Sequence, residues 1–217
     1  MKVLLINGSP RQQGSTAEAL HIIADTLTEE GVAHQTLWLG NHPVQDCIAC
    51  HACRDGKERC VFDDEANRII ETMAECDGLI VGCPVYFAHP TGRILSILDR
   101  AFYATSAPFH HKPAAAVTVA RRAGTTATVD VLNKYFTIAQ MLVVSSQYWN
   151  MVHGNSPAEV RSDAEGAQIM RTLARNMAWL LRCIEAGKAA GVALPCPEPR
   201  VATNFIGNGT LPNPSGI

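Results

Sequence analysis

Apolar residues in this chain alternate between short unbroken runs and spaced repeats. The runs "KVLLIN" (2–7), "GLIVGC" (78–83), "PAAAVTVA" (113–120) and "MLVVSSQYW" (141–149) show little polar alternation. Runs of this kind fit strands covered on both faces, as in a parallel sheet. "AHQTLWL" (33–39) is weaker and reads as a strand nearer an edge. Between the runs the spacing turns helical. Residues 15–30 put Leu20, Ile23 and Leu27 on one face, with Gly31 as a stop. Residues 64–76 group Ile69, Ile70 and Met73. Residues 90–103 group Ile94, Leu95, Leu98 and Phe102, with Pro90 suited to a first turn. Residues 126–139 carry Val129, Leu132 and Phe136. Residues 158–187 form one long pattern through Met170, Leu173, Met177, Leu180, Leu181 and Ile184. Strands and helices in strict alternation predict an α/β fold: a doubly wound parallel sheet with right-handed crossovers and helices on both faces.

After Gly187 the helical period stops. "LPCPEPRVATNFIGNGTLPNPSGI" is rich in Pro and Gly. The expected organisation is therefore one domain over residues 1–187 and an extended C-terminal arm over 188–217. Phe205 and Ile206, apolar in a polar stretch, suit that arm to packing on a neighbouring subunit.

Composition narrows the function classes. The chain has 217 residues, 47% hydrophobic and 18% charged, enough for a sizeable core. A net charge of −2, with no Lys/Arg-rich face, excludes an electrostatic footprint for nucleic acid. No apolar run is long enough to span a bilayer, and the N-terminal apolar stretch is too short for a signal peptide. A cytoplasmic protein is expected. In that compartment eight cysteines argue against a disulfide framework. Cys76 and Cys83 flank an apolar run and read as buried structural thiols.

The first strand opens into "NGSPRQQGST" (7–16). In an open α/β sheet, ligands bind beyond the carboxyl ends of the strands. Gly8 and Gly14 permit tight turns there. Ser9, Ser15 and Thr16 offer hydroxyls, Arg11 offers a planar charged fork, and a helix N-terminus follows. Together they describe a phosphate pocket. No Lys lies in residues 3–33 and Gly-x-Gly-x-x-Gly is absent, so neither the nucleoside-triphosphate loop nor the dinucleotide fingerprint fits. A hydroxyl-rich loop suits a terminal monophosphate. The bland alternative is an ordinary N-capped helix, since Ser15 and Thr16 cap well by themselves. Two more loops leave the same edge. "CPVYFAHPTG" (83–92) offers Tyr86 and Phe87 to a flat ring, unless the pair is plain packing. "ARRAGTTAT" (120–128) offers Gly124 and Thr125 beside Arg121 and Arg122. One loop for phosphate and two for a ring amount to a mononucleotide site.

Cys47, Cys50, Cys53 and Cys60 are spaced C-x2-C-x2-C-x6-C. Four thiolates can hold a [4Fe-4S] cluster. Zinc is a second possibility, though it more often takes two separated Cys-x-x-Cys pairs. Small buried thiols without metal are a third. His51, between two of these cysteines, reads as a surface or interface residue. His89, His110 and His111 read as solvated or satisfied histidines.

The chain resembles the NAD(P)H-dependent FMN reductases of the flavodoxin-like superfamily, and most closely the branch containing the iron–sulfur flavoproteins. The resemblance rests on "INGSPRQQGST", on "CIACHAC" with Cys60 and "DDE" after it, on "CDGLIVGCPVYFAHPTGRILSILDR", and on "TNFIG" near the C-terminus. It implies a five-stranded sheet in the order 2-1-3-4-5 with FMN at its carboxyl edge. It places Ser9, Arg11, Ser15 and Thr16 on the phosphate. It sets Pro84, Val85, Tyr86 and Phe87 along the ribityl chain and isoalloxazine, with the 121–125 loop near the pyrimidine side. It also implies homodimers or homotetramers.

The function expected is an FMN-dependent oxidoreductase. Electrons would pass from NADPH or NADH through FMN to a small acceptor such as a quinone, flavin, nitro or azo compound, or metal ion. The flavin carries the chemistry, so no catalytic acid–base pair is needed. Arg121 or Arg122 would steer the nicotinamide cofactor's phosphates. Two alternatives stand beside it: an electron carrier with a cluster at the four cysteines, and a flavin-free binding module on the same fold.

Overall fold

The computed structural model describes residues 1–199 and 201. Strand β1 (Lys2–Asn7) leads into helix α1 (Ser15–Glu29), then β2 (Ala33–Trp38), α2 (Glu65–Ala74) and β3 (Gly78–Tyr86). A two-residue strand β4 (His89–Pro90) turns back on β3 before α3 (Gly92–Ala104). The chain continues through β5 (Pro113–Ala120), α4 (Thr125–Ile138), β6 (Leu142–Val143), β7 (Met151–His153), α5 (Pro157–Ser162) and α6 (Ala164–Ala189).

The parallel sheet runs β2-β1-β3-β5-β6, and β7 also pairs with β5. β6 lies beside Pro113 and Ala114 at the start of β5, while β7 lies beside Thr118–Ala120 at its end. The two therefore share the fifth place in the sheet as one broken strand. Counted by place, this is the expected flavodoxin-like 2-1-3-4-5 order; the hairpin strand β4 only shifts the labels.

Side chains of β1 alternate between the two faces. Leu4 and Ile6 join the core under α2, α3 and α4, with Ile69, Met73, Leu98, Leu132 and Phe136. Val3 and Leu5 join the core under α1, α5 and α6, with Leu20, Ile23, Val160, Met170 and Leu173. Both faces of the strand are covered, which is why its sequence shows no polar alternation.

Three sequence expectations need correction. The run 141–149 is not one strand: only Leu142 and Val143 pair, residues 144–150 leave the sheet, and pairing resumes at Met151. Buried Asn150 closes that detour. Its carbonyl accepts from the Thr118 N–H at 3.0 Å and its Nδ2 donates to the Val144 carbonyl at 3.2 Å. The pattern 158–187 is two helices, because Asp163 ends α5 and caps α6, accepting from the Gly166 N–H at 2.9 Å. Pro90 is not in the first turn of α3; Thr91 caps that helix and Pro90 pairs with Val85.

α6 runs on to Ala189, and residues 191–199 and 201 that follow are exposed. "TNFIG", with Phe205 and Ile206, lies outside the described residues. Among the described residues no helix is long and apolar enough to cross a membrane.

Candidate functional site

β1 and β3 are neighbours whose connections leave in opposite directions, to β2 on one side and β5 on the other. Their carboxyl ends therefore form the crevice at which such sheets bind ligands. The loop leaving β1 is fixed from within. Asn7 Oδ1 accepts from the Ser9 N–H at 3.1 Å, and Asn7 Nδ2 donates to the Gln12 carbonyl at 3.2 Å. Ser9 Oγ accepts from the Arg11 N–H at 3.1 Å, so the hydroxyl keeps its proton for a ligand acceptor. The Gly8 N–H donates to the Gly82 carbonyl at 2.9 Å, and a Cβ on Gly8 would press on that same oxygen. From β2, Trp38 Nε1 donates to the Ser9 carbonyl at 2.8 Å. α1 begins at Ser15 with Gly14 as its N-cap and no side-chain cap. Its first-turn amides are thus left for an external acceptor, at the positive end of the helix.

This loop is one wall of an open cleft of about 220 Å³. Ser9, Arg11, Ser15 and Thr16 line one side. Pro84, Val85 and Tyr86 from β3, and Val119, Ala120 and Arg121 from β5, line the next, and Gly154 and Asn155 after β7 complete it. Among the described residues, two guanidinium groups and no carboxylate line this space, which suits a dianion. Beyond it, Phe87 and Ala88 hold left-handed conformations at the tip of the β3–β4 hairpin, with φ of 51° and 59°. Phe87 is fully exposed.

The second candidate site is a chamber of about 20 Å³ built mostly by the segment between β2 and α2. Cys47, Cys50, Cys53 and Cys60 all line it, with Ile48, Val61, Phe62 and Tyr103 supplying apolar walls. Ala49 and His51, set between the cysteines, take left-handed φ of 51° and 53°, which curls the segment. His51 Nδ1 lies 3.4 Å from the Tyr103 hydroxyl. Burial, partly opposed by a backbone hydrogen bond and reinforced by Cys50, Cys60 and Cys47, pushes the Cys53 thiol up. Arg100 closes the chamber from α3. Its guanidinium grips Asp64 through two hydrogen bonds, at 2.9 and 2.6 Å, and reaches the Cys60 sulfur at 3.6 Å. Burial pulls that guanidinium down, but hydrogen bonds to Asp64 and Cys60 outweigh it and leave it above its ordinary range.

Residues 1–156 match the family described as NADPH-dependent FMN reductase. The chain belongs to that family. It is 30% identical over 193 residues to an iron–sulfur flavoprotein of Methanosarcina thermophila, covering 87% of this chain and 99% of the other. It is 28% identical over 193 residues to an iron–sulfur flavoprotein of Methanocaldococcus jannaschii, covering 85% and 100%. Among solved structures, RosB with bound 8-demethyl-8-formylriboflavin-5'-phosphate superposes with a TM-score of 0.68 at 16% identity, covering 94% of this chain and 92% of that one. This FMN reductase family member is thus a flavodoxin-like protein of the oxidoreductase class.

The described residues of the first site fit a flavin monophosphate: an uncapped helix start, three hydroxyls, guanidinium groups and no acid among them. Of the residues expected from sequence, the cleft collects Ser9, Arg11, Ser15, Thr16, Pro84, Val85, Tyr86 and Arg121. Gly14, Phe87, Gly124 and Thr125 stand behind or beside it. Thr125 is buried and gives its hydroxyl to the Met151 sulfur at 3.2 Å. Val119, Ala120, Gly154 and Asn155 were not foreseen. A glycine directly after a buried strand end is the signal that could have found Gly154, but β7 itself was hidden behind the detour at 144–150.

Of the second site, the donor set fits an iron–sulfur cluster in kind: four sulfurs around one apolar chamber. No three His, Cys, Asp or Glu side chains among the described residues stand close enough to hold a metal ion. A zinc ion needs its sulfurs within roughly 4 Å of one another, since each lies about 2.3 Å from one centre. A cluster spreads its thiolates over separate irons and asks for wider spacing.

Proposed function

We propose that this protein is an FMN-dependent oxidoreductase that takes electrons from NADPH or NADH. It passes them to a small acceptor of the quinone, flavin, nitro, azo or metal-ion class. The observation that carries this reading is the uncapped start of α1 beside Ser9, Arg11, Ser15 and Thr16, in a cleft with no carboxylate among its described lining residues. These residues bind the phosphate. Pro84, Val85 and Tyr86 lie along the ribityl chain and ring, with Val119, Ala120 and Arg121 on the neighbouring strand end. Gly124 and Thr125 brace the loop behind Arg121, and Phe87 sits at the rim. Arg121 and Arg122 are exposed and placed to attract the phosphates of the nicotinamide cofactor. Bound there, FMN supplies the hydride and single-electron chemistry that the side chains lack.

The test is FMN titration of apoprotein by calorimetry, followed by anaerobic mixing with NADPH or NADH. Arg11→Ala is expected to weaken FMN binding by about tenfold or more, the scale of a lost charge-assisted bond. Apoprotein that takes up no FMN would leave the flavin-free binding module standing instead.

A second reading is favoured by the shared cysteine chamber and by relatives named iron–sulfur flavoproteins. In it, Cys47, Cys50, Cys53 and Cys60 hold a [4Fe-4S] cluster and the protein is an electron carrier. Iron analysis and an anaerobic spectrum separate the two: four irons per chain for the carrier, plain flavin for the reductase. Either way we place the protein in the cytoplasm, where NAD(P)H and reduced thiols belong. We also propose a homodimer or homotetramer, because Tyr86 and Phe87 leave the cleft rim unpacked in one chain. Light scattering at the 23.4 kDa monomer mass would refute the oligomer.

A further inference from the structure

Arg100 is a charged side chain only 1% exposed, and α2 does not need it. Asp64 caps α2 by itself, accepting from the Ala66 N–H at 3.1 Å. A buried ion pair is weak evidence of stabilisation, since two matched apolar residues often serve as well. What the guanidinium does that an apolar residue could not is donate to sulfur: with one edge on Asp64, it also gives Cys60 an N–H at 3.6 Å. Phe62 packs its ring 5.5 Å from the guanidinium carbon and fixes its plane.

The backbone of Cys60 is held as firmly. Asn67, 2% exposed, accepts from the Cys60 N–H at 2.7 Å and donates to the carbonyls of Cys60 and Phe62 at 3.0 and 2.9 Å. Both main-chain groups of Cys60 and its sulfur are therefore tied to the helices α2 and α3. Cys47 and Cys50 ride instead on an exposed segment. The chamber has one wall anchored to the helices and one exposed wall.

We propose that Arg100 is a positioning residue for the cysteine chamber: with Asn67 it presents the Cys60 sulfur to the other three cysteines, and its N–H raises the reduction potential of the cluster held there. This deepens the second reading above and rests on it for the identity of the bound group. The physical basis is that a hydrogen bond donated to a ligating sulfur stabilises the added electron.

The experiment compares the full chain with Arg100→Met/Asp64→Asn and with Arg100→Lys. The double variant removes both charges together, so no carboxylate is left unpaired, and Asn caps a helix as Asp does. FMN uptake reports folding; should the double variant lose it, Arg100→Lys carries the same comparison. In metal-free protein, dibromobimane bridging between Cys60 and Cys53, mapped by mass spectrometry, reads the placement of the sulfur. The yield is expected to fall roughly threefold or more in the double variant, the scale of one lost hydrogen bond, and less in Arg100→Lys. In protein reconstituted with ferrous iron and sulfide, a redox titration followed by electron paramagnetic resonance is expected to show a more negative midpoint. The lysine variant is expected to lie between. An unchanged midpoint in fully loaded variant overturns the proposal, whatever the bridging yield. A parent chain that takes up no iron removes the cluster reading alone; unchanged bridging in that protein then overturns the placement of Cys60 by Arg100, and reduced bridging upholds it.

Discussion

Trp38, at the end of β2, donates its indole N–H to the carbonyl of Ser9 at 2.8 Å and so ties the second strand to the loop that leaves the first. Ser9 is buried, and its carbonyl could not turn to bulk water without the loop moving. Trp38→Phe keeps the ring's apolar packing but strands that carbonyl, a loss of roughly 1–3 kcal/mol shared between folding and loop placement. The expected result is an FMN dissociation constant raised about fivefold, with a small drop in melting temperature. Calorimetric titration of both proteins checks it. Equal affinities would mean that the loop holds its shape without β2.

Gly124 and Ala88 meet at the other rim. Gly124 has φ of 91°, and a Cβ there would lie 2.4 Å from the Ala88 Cα. The β3–β4 hairpin, whose tip residues Phe87 and Ala88 are themselves left-handed, leans on this glycine. Gly124→Ala therefore meets both a forbidden backbone region and a backbone clash. It is expected to cost at least about 2 kcal/mol, or a melting temperature lower by roughly 4–8 °C. Differential scanning calorimetry reads this directly; a shift under a degree would show that the hairpin can step aside freely.

The parts of this fold that announce themselves in the sequence are those where a single local force decides. β5 is an unbroken apolar run because both its faces are covered, and its bounds, Pro113–Ala120, coincide with the run. The phosphate loop is legible for a similar reason: glycines and hydroxyls beside a strand end have few other uses. The uncapped start of α1 was not legible. Ser15 and Thr16 are good caps by type, yet the helix begins at Ser15 and leaves Gly14 in the capping place. The split of the fifth strand was also hidden. Val144 is apolar and buried while Leu142 and Val143 before it are apolar and exposed, so the run carries no sign of the break; Asn150, a residue depleted in strands, closes the detour through tertiary hydrogen bonds. Asn155 lines the cleft because it follows β7 at the carboxyl end of β5. Arg100 was invisible for another reason: in sequence it is one more charge on a helix, and only folding sets it against Asp64 and Cys60.

Cys83 ends the apolar part of β3 directly below the cleft and is fully buried. Burial, only partly offset by hydrogen bonds with Thr91, pushes its thiol up to about 11. Cys76 is likewise raised by burial, against the opposing charges of Lys2 and Lys112. At pH 8 about one Cys83 in a thousand is thiolate, and the thiolate is the nucleophile. Iodoacetamide on native metal-free protein is therefore expected to label the exposed Cys47, Cys50, Cys183 and Cys196 while leaving Cys76 and Cys83 intact. Peptide mass mapping before and after denaturation decides it. Prompt native labelling of Cys83 would show that the end of β3 opens.

Tyr135 on α4 gives its hydroxyl to Asp99 on α3. Burial first, then the hydrogen bond and the charge of Asp99, hold the phenol above its ordinary value. In the unfolded chain a tyrosine ionises near pH 10. Above that pH the folded state keeps a proton that the unfolded state releases, so stability must fall as pH rises. Below pH 10 the contribution of the pair is fully present. Tyr135→Phe removes both the pair and its titration. At pH 8 it is expected to cost about 1 kcal/mol or less, because Asp99 is exposed and rehydrates. Between pH 8 and pH 10.5 the gap to the parent protein should narrow. Urea midpoints at the two values measure it, and a gap that stays constant or widens would show that Asp99 does not hold the Tyr135 proton.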